Sequence, residues 1–159
     1  MRAYLPLVVS LFAVLQTSCV TQHSDVLGWP DSQVFKMPQP TSFMSETLEL
    51  KDGRFRYWFS SDVILRNGPK YPMEGSYAWK GDEILLSSDK SFKVRRINGQ
   101  SVLFWPHAVE WWDRHQIISG HILVPVGSIH SPTPQRENFF TKEQRETSAA
   151  RAAQLQQNK

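Results

Sequence analysis

"LELKDGRFRYWF", Leu48 to Phe59, decides how this chain folds. Asp52-Gly53 is a two-residue turn signal between antiparallel strands, because both residue types accept a positive φ. A two-residue turn fixes register, so the flanking strands can be tested against each other. Lys51 falls opposite Arg54, Leu50 opposite Phe55, Glu49 opposite Arg56 and Leu48 opposite Tyr57. One face is then Leu48, Leu50, Phe55 and Tyr57. The other carries Glu49 and Arg56, an opposite-charge cross-strand pair. Only Lys51 and Arg54 repel, and they flank the solvated turn.

Two further hairpins follow by the same logic. In "EGSYAWKGDEILLSS", Glu74 to Ser88, a Gly81-Asp82 turn sets Lys80 opposite Glu83, Trp79 opposite Ile84 and Tyr77 opposite Leu86. Gly75 continues that face, and its missing side chain leaves room for a bulge or a bulky neighbour. In "SFKVRRINGQSVLFW", Ser91 to Trp105, an Asn98-Gly99 turn sets Val94 opposite Leu103 and Phe92 opposite Trp105. Lys93 and Arg95 point to the other side, opposite Phe104 and Val102. All three registers gather apolar residues on one face, and this agreement between turn chemistry and pattern supports each assignment. The fold class is therefore mainly β. We expect an antiparallel meander, curled toward a small barrel or half-barrel, packed inside and mostly wet outside.

"WPHAVEWWDRHQ" predicts one short covering helix near 106–115, with Pro106 in its first turn and Ala108, Val109, Trp111 and Trp112 clustered on one side. "IISGHILVPV" predicts a last strand, bulged or kinked at Gly120 and ended by Pro125, placed to close the sheet. The β domain so defined covers 46–127. Beyond it, 128–159 is a polar tail, partly helical or disordered, in which Thr141 and Gln144 form a capping-box pattern. With few large apolar residues, that tail should fray or find a partner.

The head of the chain reads as an export signal over residues 1–18. Arg2 is its one charge, and Ala3–Leu15 is an apolar run of thirteen residues, short of the roughly 20 that span a bilayer. "LQTSC" resembles the bacterial lipobox, with Gln16 standing where that family has an apolar residue. The resemblance implies that Cys19, the one cysteine in the chain, is lipidated and becomes the mature N-terminus. A lone cysteine forms no intramolecular disulfide, and acylation gives an exported protein a reason to keep it. Val20 stands where, in some bacteria, an Asp marks inner-membrane retention, so the outer membrane facing the periplasm is expected. Residues 19–45, with prolines and no sustained period, read as an extended leader.

The succession "LELKDGRFRYW" and "GSYAWKGDEILL" resembles small bacterial export-associated domains with lipocalin-like curled meanders, many of them on lipoproteins. The likeness covers about residues 46–105 and implies no catalytic residue. The motifs of esterase elbows, phosphate loops and Walker sites are missing from the sequence. A trio such as Asp113, His115 and a serine arises in any chain of this size, so the chain reads as no enzyme, with a hydrolase as a minor alternative. His107, His115 and His121 lack metal-ligand spacing, so no metal or cofactor is expected. The formal charge is +3, with Lys and Arg interleaved among acids, which argues against nucleic acid. The function expected is a cell-envelope lipoprotein acting as a binding or scaffold module, the alternative being a carrier of a small apolar ligand. Its partners would be the membrane, through the lipid anchor, and an envelope protein or such a ligand. Trp58, Trp111 and Trp112 are the candidate contact surface.

Overall fold

A computed structural model describes residues 32–38, 44–61, 72–132 and 139–158. The described strands are β1 (Ser32–Lys36), β2 (Met44–Lys51), β3 (Arg54–Ser61), β4 (Met73–Lys80), β5 (Glu83–Leu86), β6 (Ser91–Ile97), β7 (Gln100–Phe104) and β8 (Ile122–Val126). Helix α1 (Pro106–His115) joins β7 to β8, and α2 (Lys142–Gln157) follows β8. Each strand pairs antiparallel with the next, and β8 pairs with β1, so the sheet closes as a barrel. This is an up-and-down arrangement of lipocalin-like form.

The three hairpins hold the registers read from their turns; the β6–β7 ladder ends at Lys93 opposite Phe104, and Phe92 and Trp105, the next pair, meet through their rings. Asp52 and Gly53 both have positive φ, as do Asn98 and Gly99, which is the twist-matching turn those sequences favour. A fourth turn, unread in the sequence, joins β5 to β6. There Asp89 takes a positive φ, and Leu86 N–H donates to the Lys90 carbonyl at 2.8 Å.

The inward face of the barrel is mostly apolar. Phe35, Leu48, Leu50, Phe55, Tyr57, Ile84, Phe92, Leu103 and Leu123 form one buried cluster inside it. Eight strands enclose a space that side chains of this size can fill. Gly75 lies opposite Phe55, and a Cβ there would meet a Phe55 ring carbon at 2.8 Å. The missing side chain therefore makes room for the ring.

Three expectations need correction. First, β1 and the start of β2 fall within 19–45, which the sequence reads as leader. Val34 and Phe35 of β1 are buried, so the barrel begins by Ser32, and no turn signal announces that strand. Second, the outer face is wet only in part. Over β6, β7 and β8 it carries Ile97, Val102, Phe104, Ile122 and Val124, sealed by Ala108 and Val109 of α1, by Ile118 and by Phe140. A strand covered on both faces reads as a continuous apolar run, and "VLF" in β7 is one. Third, Pro125 does not end β8. It lies within the strand opposite Phe35, past the last β7 partner, where a missing N–H is tolerated.

Helix α1 occupies the expected residues, with Pro106 at its first turn and Ala108 and Val109 buried. Arg95 ties it to the sheet. Its Nε and a terminal nitrogen donate to the two Asp113 oxygens at 3.0 and 2.6 Å, and its other terminal nitrogen donates to Asp82 at 2.5 Å. Helix α2 carries Leu155 as its one large apolar residue, yet it is docked. The Thr141–Gln144 capping box is present, and Phe140 just before it is 2% exposed. The Gln144 amide pairs with that of Asn98, and Ser148 accepts the Ile118 N–H at 2.9 Å. The partner the tail needed is this chain's own barrel. Among the described residues no helix is long and apolar enough to cross a membrane.

Candidate functional site

One end of the barrel carries the β2–β3, β4–β5 and β6–β7 turns. At the other end β2, β4 and β6 begin and β3 and β7 finish. A carboxylate sits inside this second end. Glu46, two places before Leu48 on the inward face, is 4% exposed. Its Oε1 accepts the Tyr57 hydroxyl at 2.6 Å and its Oε2 accepts Trp105 Nε1–H at 3.1 Å. Lys90 completes the group. Its ammonium lies over the Tyr57 ring at 5.2 Å from the centroid and over the Trp105 ring at 4.8 Å.

Each member is placed by its own element. Tyr57 stands in β3 opposite Leu48, in the register fixed by the Asp52-Gly53 turn. Trp105 follows β7 and precedes α1; its ring packs against Phe92 at 5.1 Å, and its backbone N–H donates to the His121 carbonyl at 3.2 Å. Lys90 is delivered by the β5–β6 turn. Met44, Phe59 and Met73 are half-buried against the same core and give the mouth an apolar lining. Burial pushes the Glu46 carboxyl above the ordinary glutamate range. The hydrogen bonds from Tyr57 and Trp105 and the charge of Lys90 pull the other way without cancelling it.

The arrangement holds a charge where burial disfavours one, which is how recognition sites commonly differ from cores. Two ring faces and a carboxylate form a polar socket in an apolar mouth. Both oxygens of Glu46 are already committed to donors, which suits holding a group better than moving a proton.

Cys19 lies outside the described residues. The three tryptophans read as a contact surface differ in exposure and in what they touch. Trp58 is half-buried on the outer face of β3, under Arg56 at 5.1 Å. Trp112 packs on Phe104 and Phe140 at 5.8 and 6.4 Å, so it seals the second core. Trp111 is 46% exposed beside His115, turned away from the apolar side on which the sequence put it. A cleft of about 370 Å³ runs between α1 and α2 past Trp112, Gln144 and Arg151. His107 and His121 stand edge to face at 4.8 Å. Among the described residues no three His, Cys, Asp or Glu converge as a metal site would require.

Sequence reading missed Glu46, Lys90 and the role of Trp105. A signal for Glu46 was present: extending the face Leu48, Leu50 back by one alternation brings a glutamate inward. Comparison with protein-family models, with curated proteins and with solved structures finds no match.

Proposed function

We propose that this chain is an exported, non-enzymatic binding module of the cell envelope, anchored through Cys19 to the outer membrane and facing the periplasm. It recognises its partner or ligand at the barrel mouth around Glu46. The observation that carries this reading is the buried carboxylate itself. The barrel is otherwise filled by apolar side chains, and a charge taken out of water costs several kcal/mol, an order-of-magnitude figure. A fold that needed only to stand would close that position with another leucine.

The carrier reading differs in where the ligand goes. A carrier takes its ligand into the barrel, against Phe35, Leu50 and Phe92. The mouth reading takes a polar group against Glu46. A thermal-shift screen of lipophilic and polar ligands, run on the wild type and on Glu46→Gln, separates the two. Stabilisation lost in the variant supports recognition at the mouth. Stabilisation by long apolar ligands that ignores the variant supports the carrier. The anchor is tested by the intact mass of the mature protein from membranes. A polypeptide beginning at Cys19 plus acyl chains, absent after Cys19→Ser, is expected; an unmodified chain cut elsewhere refutes it.

A further inference from the structure

The geometry points to a site for a primary alkylammonium group, walled by Tyr57 and Trp105, backed by the Glu46 carboxylate, and filled in the resting chain by its own Lys90. This inference rests on reading the Glu46 end as the recognition site, and it names the chemistry recognised there.

Lys90 shows what the socket accepts. Its ammonium stands at 5.2 and 4.8 Å from the two ring centroids, within the roughly 6 Å over which a ring face attracts a cation. The same two residues donate to the two Glu46 oxygens. Both walls are thus oriented by the carboxylate, and all three groups favour positive charge. An anion entering here would meet Glu46 and two negative ring faces, so the selection is by sign.

The walls are fixed and the occupant is not. Tyr57 is 1% exposed, and Trp105 is held by Phe92, by Glu46 and by its backbone bond to His121. Lys90 is half-exposed on a surface turn, and its four-carbon stem can swing the ammonium into water, where it is well hydrated. An external ammonium therefore competes with a resident one, and Lys90 sets the threshold for entry. The ligand group comes either from a free amine or from a lysine side chain of a partner protein.

Chemical rescue tests this on the full chain. Lys90→Ala vacates the socket, and n-butylammonium supplies the lost group. The melting temperature of Lys90→Ala should rise by about 3 °C or more at saturating amine, as expected for a ligand at about ten times its dissociation constant. The wild type should rise less, and Lys90→Ala/Glu46→Gln should not rise. An equal rise in all three is a general salt effect and overturns the proposal, as does no rise in Lys90→Ala. Should that variant fail to fold, the wild type is titrated with the same amine by NMR. The Trp105 indole resonance must then move while that of Trp111 stays; a still Trp105 overturns the proposal. Nα-acetyl-lysine methylamide binding more tightly than butylammonium assigns the group to a partner's lysine, and equal binding assigns it to a free amine. Failure of both amines beside Glu46-dependent stabilisation by another ligand sinks this inference and leaves the recognition site standing.

Discussion

Glu46→Gln separates the charge of the buried carboxylate from its shape. Glutamine mimics the protonated acid, with one acceptor oxygen and one donor end. The Tyr57 hydroxyl and Trp105 Nε1–H both need acceptors, so glutamine leaves one of them poorly met, at a cost of about 1–3 kcal/mol. The wild type carries a different cost. Its folded-state carboxyl titrates above the ordinary glutamate range because of burial. Between the unfolded and folded values the folded chain keeps a proton that the unfolded chain has lost. Stability then falls as pH rises through that window, by at most about 1.4 kcal/mol per pH unit. Below about pH 4.3, the ordinary value, both states are protonated and the decline is absent. The variant has no such decline. Other carboxylates pull the opposite way: hydrogen bonds from Arg95 hold Asp113 and Asp82 low, and those from Ser91 and Lys93 hold Glu83 low. Their stabilisation is present above the ordinary range and lost as pH falls, but it is common to both proteins and cancels in the difference. Urea unfolding followed by tryptophan fluorescence from pH 4 to 8 reads that difference. Wild type should lead or match at pH 4, and Glu46→Gln should gain steadily as pH rises. Parallel curves, or a wild type that gains with pH, would refute the reasoning, because burial would then not dominate at Glu46.

Gly75→Ala puts a Cβ 2.2 Å from Ser87 Oγ and 2.8 Å from the Phe55 ring, and should cost about 1–3 kcal/mol in urea unfolding; an unchanged midpoint contradicts the packing described. Phe140→Ala empties a site that is 2% exposed and should cost about 3–5 kcal/mol. Hydrogen exchange should quicken across α2 while the Asp52-Gly53 hairpin keeps its protection; equal loss in both would mean that the helix and the barrel fold as one unit. Arg95→Ala removes the ties to Asp113 and Asp82, whose side chains are 47% and 51% exposed, so it should cost no more than about 1 kcal/mol. A loss several times larger in urea unfolding would show that the network does more than link solvated charges.

The barrel wall was legible where local chemistry decides structure. Asp52-Gly53, Gly81-Asp82 and Asn98-Gly99 each fix a register, and a register fixes which residues face inward. Strand β1 was not legible, because its partners, β2 and β8, are reached without a two-residue turn and its five residues show no alternation. The docking of α2 was hidden for a similar reason. Its contacts include Asn98 with Gln144, Ile118 with Ser148 and Arg151 with the His115 carbonyl, polar pairs far apart in sequence, and its large apolar anchors, Phe139 and Phe140, precede the helix. The mouth needed four elements at once. Glu46 could be turned inward by counting along β2, but Trp105 and Lys90 meet it only when the barrel closes.

The central claim is that the end around Glu46 is where this protein meets its ligand or partner. Site-directed photocrosslinking in intact cells tests it directly, with the probe at Met44 or Met73 on the mouth, at Trp111 on α1, or at Lys51 beside the opposite-end turn. Adducts should form from Met44 and Met73 and disappear when Glu46→Gln is added. Adducts that come only from Trp111 or Lys51, or that persist at the mouth despite Glu46→Gln, would contradict the account.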